Sequence, residues 1–211
     1  MKKNDLTLIW NQVPVDYYQM GVRKNFLQRF WHSQKINLAI NLIKDFNFKN
    51  CLDVGCASGY MLSEISKKYP TCKYFGIDAY QKAIKYAKKR YKNIDFKVAA
   101  ADHLPFADNS FDLILFYETI EHVENPHACL QEIKRVLRKN GKLILAMDSG
   151  SLLFRIVWFV WENTKGTVWR AAHLNPFKHE DLEDLILKSK FKINKKIFSH
   201  FGMEVIFILS K

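Results

Sequence analysis

Apolar residues along this chain change their spacing twice. Between residues 15 and 47 they recur at helical intervals, with Val22, Phe26 and Phe30 followed by Ile36, Leu38, Leu42, Ile43 and Phe46, which predicts a helical opening segment. From Asn50 onward, short continuous apolar runs alternate with amphipathic stretches. "NCLDVG", "KYFGID", "IDFKVA", "FDLILF" and "GKLILAM" read as buried strands. Helices are predicted from Tyr60 to about Tyr69, over roughly Gln81–Tyr91, and across "HACLQEIKRVLRK". Strands apolar on both faces and separated by helices mean parallel βαβ units covered on both sides. After Ser149 the rhythm breaks. An aromatic-rich segment (151–172) precedes a helix near 178–189, and "KINKKIFSH" and "MEVIFILS", separated by Phe201-Gly202, predict a terminal antiparallel hairpin.

The sequence holds no repeat, low-complexity tract or linker, so one domain over 1–211 is expected. Its parts are a helical cap (1–48), a core (49–148), an aromatic insertion (149–177), and a closing helix with hairpin (178–211). Within the insertion, Leu152, Leu153, Ile156, Phe159 and Val160 form one helical stripe, and Val157 with Trp161 makes the remaining face apolar too. A helix apolar all round is either buried or set into something apolar. Core packing is the commoner outcome. A lid for an isoprenoid, quinone or lipid-linked acceptor, resting on a membrane surface, is the other. The run "SLLFRIVWFVW" is too short to span a bilayer, which needs about 20 residues, and Arg155 interrupts it.

Composition adds constraints. Hydrophobic residues make up 48% of the chain and aromatic ones 14%, well above disordered sequences. The 33 basic against 21 acidic residues give a charge of +12, which suits nucleic acid, anionic lipid or phosphorylated substrates. The lysines cluster at 85–92, 133–142 and 188–196, however, where they read as solvated outer faces of helices or an exposed edge. Cys51, Cys56, Cys72 and Cys129 form no CxxC pair, and a reducing cytoplasm is the expected location. "MKKNDLTLIWNQ" lacks the apolar stretch of a secretory signal.

The chemistry collects where strands turn into helices. In "LDVGCASG", Gly55 and Gly59 permit a tight turn and close backbone approach at a helix N-terminus. A phosphate would be repelled by Asp53 just before the loop, but an ammonium group would be held. Asp78, at the end of the second strand, stands where an acid accepts two ribose hydroxyls. Asp102, after the third strand, can accept the exocyclic amine of adenine. Three acids at consecutive strand ends describe a ligand with a cationic amino-acid part, an adenosine part and no pyrophosphate.

"LDVGCASG", "GIDAY", "AADHLPFADNSFDLI", "EHVENP" and "IKRVLRKNGKLIL" together resemble the motif series of class I S-adenosylmethionine-dependent methyltransferases, especially the type 11 group that includes ubiquinone and menaquinone biosynthesis enzymes. The resemblance covers about residues 50–148. It implies an α/β, Rossmann-like fold with a seven-stranded, mostly parallel sheet and a reversed final hairpin. It also implies S-adenosylmethionine as cofactor. Asp53, Gly55, Ala57 and Gly59 would form the methionine-side loop, Asp78 with Ala79 the ribose side, Asp102 and His103 the adenine edge, and Tyr117 a wall beside the methionine part. Ala57 departs from the family, which usually has glycine there.

"FYETIEHVENP" places Glu118, Glu121 and His122 at i, i+3 and i+4, on one face if a helix starts there. The acids then either suit the positive helix end or belong to a metal site. The E-x-x-E-H pattern resembles that of metal-dependent O-methyltransferases, in which a later histidine joins. Here His173 would do so, with His179 as second choice, and Mg²⁺, Mn²⁺ or Fe²⁺ would suit the donors. Without metal, His122 or His173 serves as general base. Tyr17, Tyr18, Phe30, Trp31, Trp158, Trp161 and Trp169 are expected to cover the acceptor. A small-molecule, lipid- or quinone-like acceptor is the reading preferred. RNA methylation is the alternative, lacking an Asn/Asp-Pro-Pro-aromatic motif, and a cofactor-binding non-enzyme is the third.

Overall fold

The computed structural model describes residues 12–164, 166–167, 174–175 and 177–211. Two helices, α1 (Tyr17–Lys24) and α2 (Phe26–Ile43), lead into β1 (Asn50–Val54). Then follow α3 (Tyr60–Lys68), β2 (Lys73–Asp78), α4 (Gln81–Arg90), β3 (Ile94–Val98), β4 (Phe111–Tyr117), a 3₁₀ turn (Ile120–His122), α5 (Pro126–Val136) and β5 (Leu137–Asp148). The chain closes with α6 (Leu152–Glu162), α7 (His179–Lys188), β6 (Lys192–Ser199) and β7 (Glu204–Ser210). All five strands and the hairpin expected from the spacing of apolar residues are present, most boundaries lying within a few residues of the expectation.

The seven strands form one sheet in the order β3-β2-β1-β4-β5-β7-β6. β1 to β5 are parallel, while β7 runs antiparallel between β5 and β6. The chain starts in the middle, moves outward to β3, and then crosses to β4. That reversal, between the carboxyl ends of β1 and β4, is where open α/β sheets bind ligands.

Period-two alternation assigns side chains to two core layers. Ile114 and Phe116 of β4 pack with Leu130, Ile133, Leu182 and Ile186 of α5 and α7. Their neighbours Leu113 and Leu115 pack on the other face with Ala39, Ile43, Leu62, Ile84 and Ala87. Each large side chain buried in this way contributes roughly 1.5–3 kcal/mol. Local signals agree with the packing: Asn125 caps α5 through the Ala128 amide, followed at once by Pro126. The basic clusters fall in the last turns of α4 and α5, where they complement the helix dipole.

Two expectations are corrected. Phe26 and Phe30 share the helical period of the cap yet are exposed. α6 does not enter the core, and none of its residues is buried. An apolar period cannot distinguish a covered face from one left outside.

Candidate functional site

The first loop after β1 is held in a left-handed backbone at three positions: Gly55 (φ +77°), Ala57 (φ +46°) and Gly59 (φ +73°). Gly55 and Cys56 donate their amides to Ile77 O at 2.8 and 2.9 Å. The Asp78 carboxylate accepts from Ala57 N at 2.8 Å and from Tyr80 N at 2.7 Å. Asp78 thus binds the tips of β1 and β2 together. A Cβ on Gly55 would stand 2.1 Å from Thr119 Oγ1, so this loop also touches the turn after β4. Asp53 is buried below the loop. Burial, with a further push from the Asp78 charge, raises its carboxyl to about 7.

A cleft opens between these tips. One wall carries Gly55, Ala57, Ser58, Asp78 and Ala79; the other carries Glu118, Thr119 and His122; Tyr17 and Tyr18 lean over from α1, and Ala99 and Ala101 close the end near β3. Gln19 fastens the cap to the loop through Ser58 Oγ at 3.0 Å. Of the sequence-predicted cofactor residues, Gly55, Ala57, Asp78 and Ala79 line the cleft. Asp53 and Tyr117 are buried, Gly59 starts α3, and Asp102 and His103 are exposed after β3. Those five lie outside the lining.

Past β4, Glu118 takes a left-handed backbone (φ +44°), and a 3₁₀ turn follows in place of an α-helix. The expected common face of Glu118, Glu121 and His122 is therefore not formed. Glu118 accepts a hydrogen bond from Lys35 Nζ, Glu121 is buried, and His122 lines the cleft. Lys35, itself buried in α2, also lies 3.3 Å from Glu204 Oε1. Glu204 is further held by Ser199 and by His200 Nδ1 at 3.0 Å.

Charges here offset one another unevenly. Burial alone would lower the Lys35 ammonium, but Glu118 and Glu204 outweigh it and its pKa rises. Burial would likewise raise Glu204, yet Lys35 and the bonds from His200 and Ser199 bring it to about 2. Glu121 is raised to about 8 by burial, with the Glu118 charge adding to it. Asp148, at the end of β5, is driven well up by burial and then by Glu118 and Glu121. Around the Lys35 ammonium, Glu121 and Asp148 are thus pushed toward their neutral forms and Glu204 toward its charged form.

Among the described residues, this arrangement does not form the metal site that E-x-x-E-H suggests. The Glu118 carboxylate already has a cation in Lys35, and Glu121 favours its neutral form. Among the described residues, no group of three or more His, Cys, Asp or Glu side chains is arranged to hold a metal ion. His179 pairs with Glu180 at 3.3 Å and meets Phe198 edge-on, its ring 5.0 Å away, so it does not join the cleft. His173 and Trp169 lie outside the described residues. Sequence reading missed Lys35, Gln19, Thr119, Asp148 and Glu204. For Lys35 one signal existed: it shares the i, i+4, i+8 stripe of Ala39 and Ile43, both fully buried.

Comparison with known proteins adds three findings. Residues 52–145 match the family model described as a methyltransferase domain. Demethylmenaquinone methyltransferase of Thermotoga maritima is 31% identical over 106 residues, covering 50% of this chain and 46% of that one. Ubiquinone biosynthesis O-methyltransferase of Pelagibacter ubique is 36% identical over 123 residues, covering 50% and 48%. The chain thus aligns with about half the length of these curated relatives. A solved SAM-dependent methyltransferase from Aquifex aeolicus superposes with a TM-score of 0.64 at 18% identity, covering 81% of this chain and 88% of that one, which is a likeness of fold.

Proposed function

We propose that this chain, whose residues 52–145 match the family model described as a methyltransferase domain, transfers a methyl group from S-adenosylmethionine to a small hydrophobic, quinone- or lipid-like acceptor. One observation carries the reading. Asp53, buried with a second acid as the charge that acts on it, underlies a loop of left-handed residues at the switch point of the sheet. A buried carboxyl of that kind is stabilised by a cation brought from outside. An amino-acid ammonium supplies one, and a ribose supplies hydroxyls for Asp78.

When bound, the donor offers a sulfonium methyl that an acceptor lone pair displaces in line, a reaction that depends mostly on alignment. The Gly55–Ala57 stretch would hold the amino-acid part, Asp78 and Ala79 the ribose, and Ala99 and Ala101 the adenine face, with Asp102 and His103 at its edge. Tyr117 would back the methionine part from below. His122, facing the cleft, would take the acceptor's proton. Tyr18, whose hydroxyl is held neutral by burial and the nearby Glu118 charge, would donate a hydrogen bond. Lys35 would hold Glu118 at the acceptor wall, so no metal is needed for that carboxylate. The quinone-pathway relatives support a hydrophobic acceptor.

Calorimetry with S-adenosylmethionine and S-adenosylhomocysteine tests the donor half. Binding of both is expected, and binding of neither defeats the proposal. Incubation with phenolic and quinol acceptors, read by mass spectrometry for the gain of one methyl, tests the other half.

A further inference from the structure

Large apolar side chains left in solvent are not scattered over this molecule. Of thirteen such exposed residues among those described, ten belong to three segments: Phe26, Leu27 and Phe30 at the start of α2; Phe201 in the β6–β7 turn; and six residues of α6. Phe26 is 76% exposed, Phe159 65% and Phe201 84%. The three segments share one end of the fold. Lys35 meets Glu118 and Glu204 at the carboxyl tips of the parallel strands, and α2 runs from there back toward the start of β1. Phe26, nine residues earlier on a helix rising about 1.5 Å per residue, therefore stands about 13 Å from Lys35 along α2. Trp31 meets His200 with ring centroids 4.1 Å apart, which sets the Phe201 turn beside α2. Ser149, just before α6, bonds Met203 O at 2.8 Å and Gly202 O at 2.6 Å, which sets the start of α6 beside that turn.

We propose that this rim, at the same strand ends as the cleft, docks on the surface of an anionic lipid bilayer. Ten large apolar side chains exposed at one end of a fold mark an interaction face. Charge selects the occupant. Arg23, Lys24 and Arg29 are exposed around Phe26, Leu27 and Phe30, and Arg155 is exposed within α6, while residues 23–34 contain no acid. Basic residues alternating with aromatic ones fit an interface where rings enter the acyl boundary and cations meet lipid headgroups. A second copy fits poorly, since an isologous contact would press Arg23, Lys24 and Arg29 toward their own equivalents. α6 has eleven residues, and no helix among those described is long and apolar enough to cross a membrane. It would therefore lie in the interface. A hydrophobic acceptor would then enter the cleft from the bilayer. That last step rests on the proposed methyl transfer; the docking does not.

Flotation with vesicles, run without any methyl donor, separates the two ideas. The protein is expected to float with vesicles of equal parts phosphatidylcholine and phosphatidylglycerol, and far less with phosphatidylcholine alone. Molar salt should weaken the binding. The pairs Ile156→Glu with Phe159→Glu, and Phe26→Glu with Leu27→Glu, should each lower the partition coefficient at least about tenfold while the melting temperature stays unchanged. Should those variants misfold, the native protein still decides. Tryptophan fluorescence should be quenched by brominated lipid, and Trp158→Phe with Trp161→Phe should remove much of that quenching. No flotation at low salt overturns the proposal, as does flotation indifferent to lipid charge. A concentration-dependent dimer that Phe159→Glu disrupts, seen by sedimentation without vesicle binding, overturns it in favour of a second copy.

Discussion

On the β1–β2 wall of the cleft, polar contacts close over short stretches of sequence: Asp78 reaches back 21 residues to Ala57 and two forward to Tyr80. On the β4–β5 wall, Glu118 depends on Lys35, 83 residues away, and Lys35 also faces Glu204 near the end of the chain. The electrostatics differ in the same sense. Asp53 is buried with another acid acting on it, whereas Glu118 and Glu204 are neutralised by an internal ammonium. Below the first wall two acids press on each other with no internal cation between them. The second carries its own cation, although both Glu121 carboxyl oxygens stay buried without a hydrogen-bond partner.

Removing the internal cation should have the largest effect. Lys35→Ala leaves the buried Glu204 with only Ser199 and His200 and the partly exposed Glu118 without its ammonium, which costs about 3 kcal/mol. Chemical denaturation at neutral pH should register that loss. Because Glu204 titrates near 2 in the fold and near 4.3 when unfolded, its stabilising share is present above about pH 4 and disappears as pH falls through about 2. The deficit of Lys35→Ala should shrink accordingly in acid. Wild-type stability in this variant would mean that the second wall is not held by Lys35.

The opposite pH dependence should come from Asp53. Its folded value, about 7, lies above the unfolded value of about 3.9. The native state therefore keeps a proton that the unfolded chain has released. The share of stability due to Asp53 should fall, without ligand, as pH rises from about 4 to about 7, by on the order of 4 kcal/mol. Glu121 adds a fall of the same sign that continues to about 8. Asp53→Asn should remove its own share of that slope, leaving the part due to Glu121 and Asp148, and weaken S-adenosylmethionine binding most above pH 7. An Asp53→Asn profile with the full wild-type slope would mean that Asp53 is already ionised in the free protein.

These contrasts explain what the sequence could and could not disclose. β1 to β5 announced themselves because strands covered on both faces are continuous apolar runs. The "LDVGCASG" loop did so because left-handed backbone requires a particular residue type at a particular place. Asp78 was placed correctly at the cleft, though its bond to the Ala57 amide came only with the fold. Lys35 stayed hidden because a lysine on a helix is ordinarily solvated, and its partners are fixed by the register of β4, β5 and β7. Glu118, Glu121 and His122 misled for a related reason: their spacing has meaning only in a helix, and the chain forms a 3₁₀ turn after a left-handed Glu118. α6 misled because amphipathic period records apolarity and not what covers it.

Gly55→Ala probes where the two walls touch. The new methyl would enter a φ of +77° and approach Thr119 Oγ1 to 2.1 Å and Cγ2 to 2.5 Å. A loss of about 2 kcal/mol is expected from backbone strain and overlap together, with donor binding reduced at least about tenfold. The double variant with Thr119→Ala should recover the part due to overlap and leave the part due to φ, a coupling that a double-mutant cycle measures. Strict additivity would mean that the loop and the turn after β4 are independent.

The smallest effect, and the finest test of the first wall, is at Ala57. An alanine in a left-handed backbone (φ +46°) carries strain of roughly 1 kcal/mol, and its amide is fixed by Asp78 at 2.8 Å. Ala57→Gly removes the strain but gives the unfolded chain more freedom, which opposes folding by about 0.5–1 kcal/mol. The two terms nearly cancel, so the melting temperature should move by no more than a few degrees, while donor affinity should hold or improve as the loop relaxes. Asp78→Asn must behave otherwise. It replaces one charged acceptor with an amide that cannot serve both Ala57 and Tyr80, and it should loosen the loop whichever residue stands at 57. If Ala57→Gly instead lowers affinity as Asp78→Asn does, the strained alanine is itself shaping the donor site, and the departure from glycine at this position is functional.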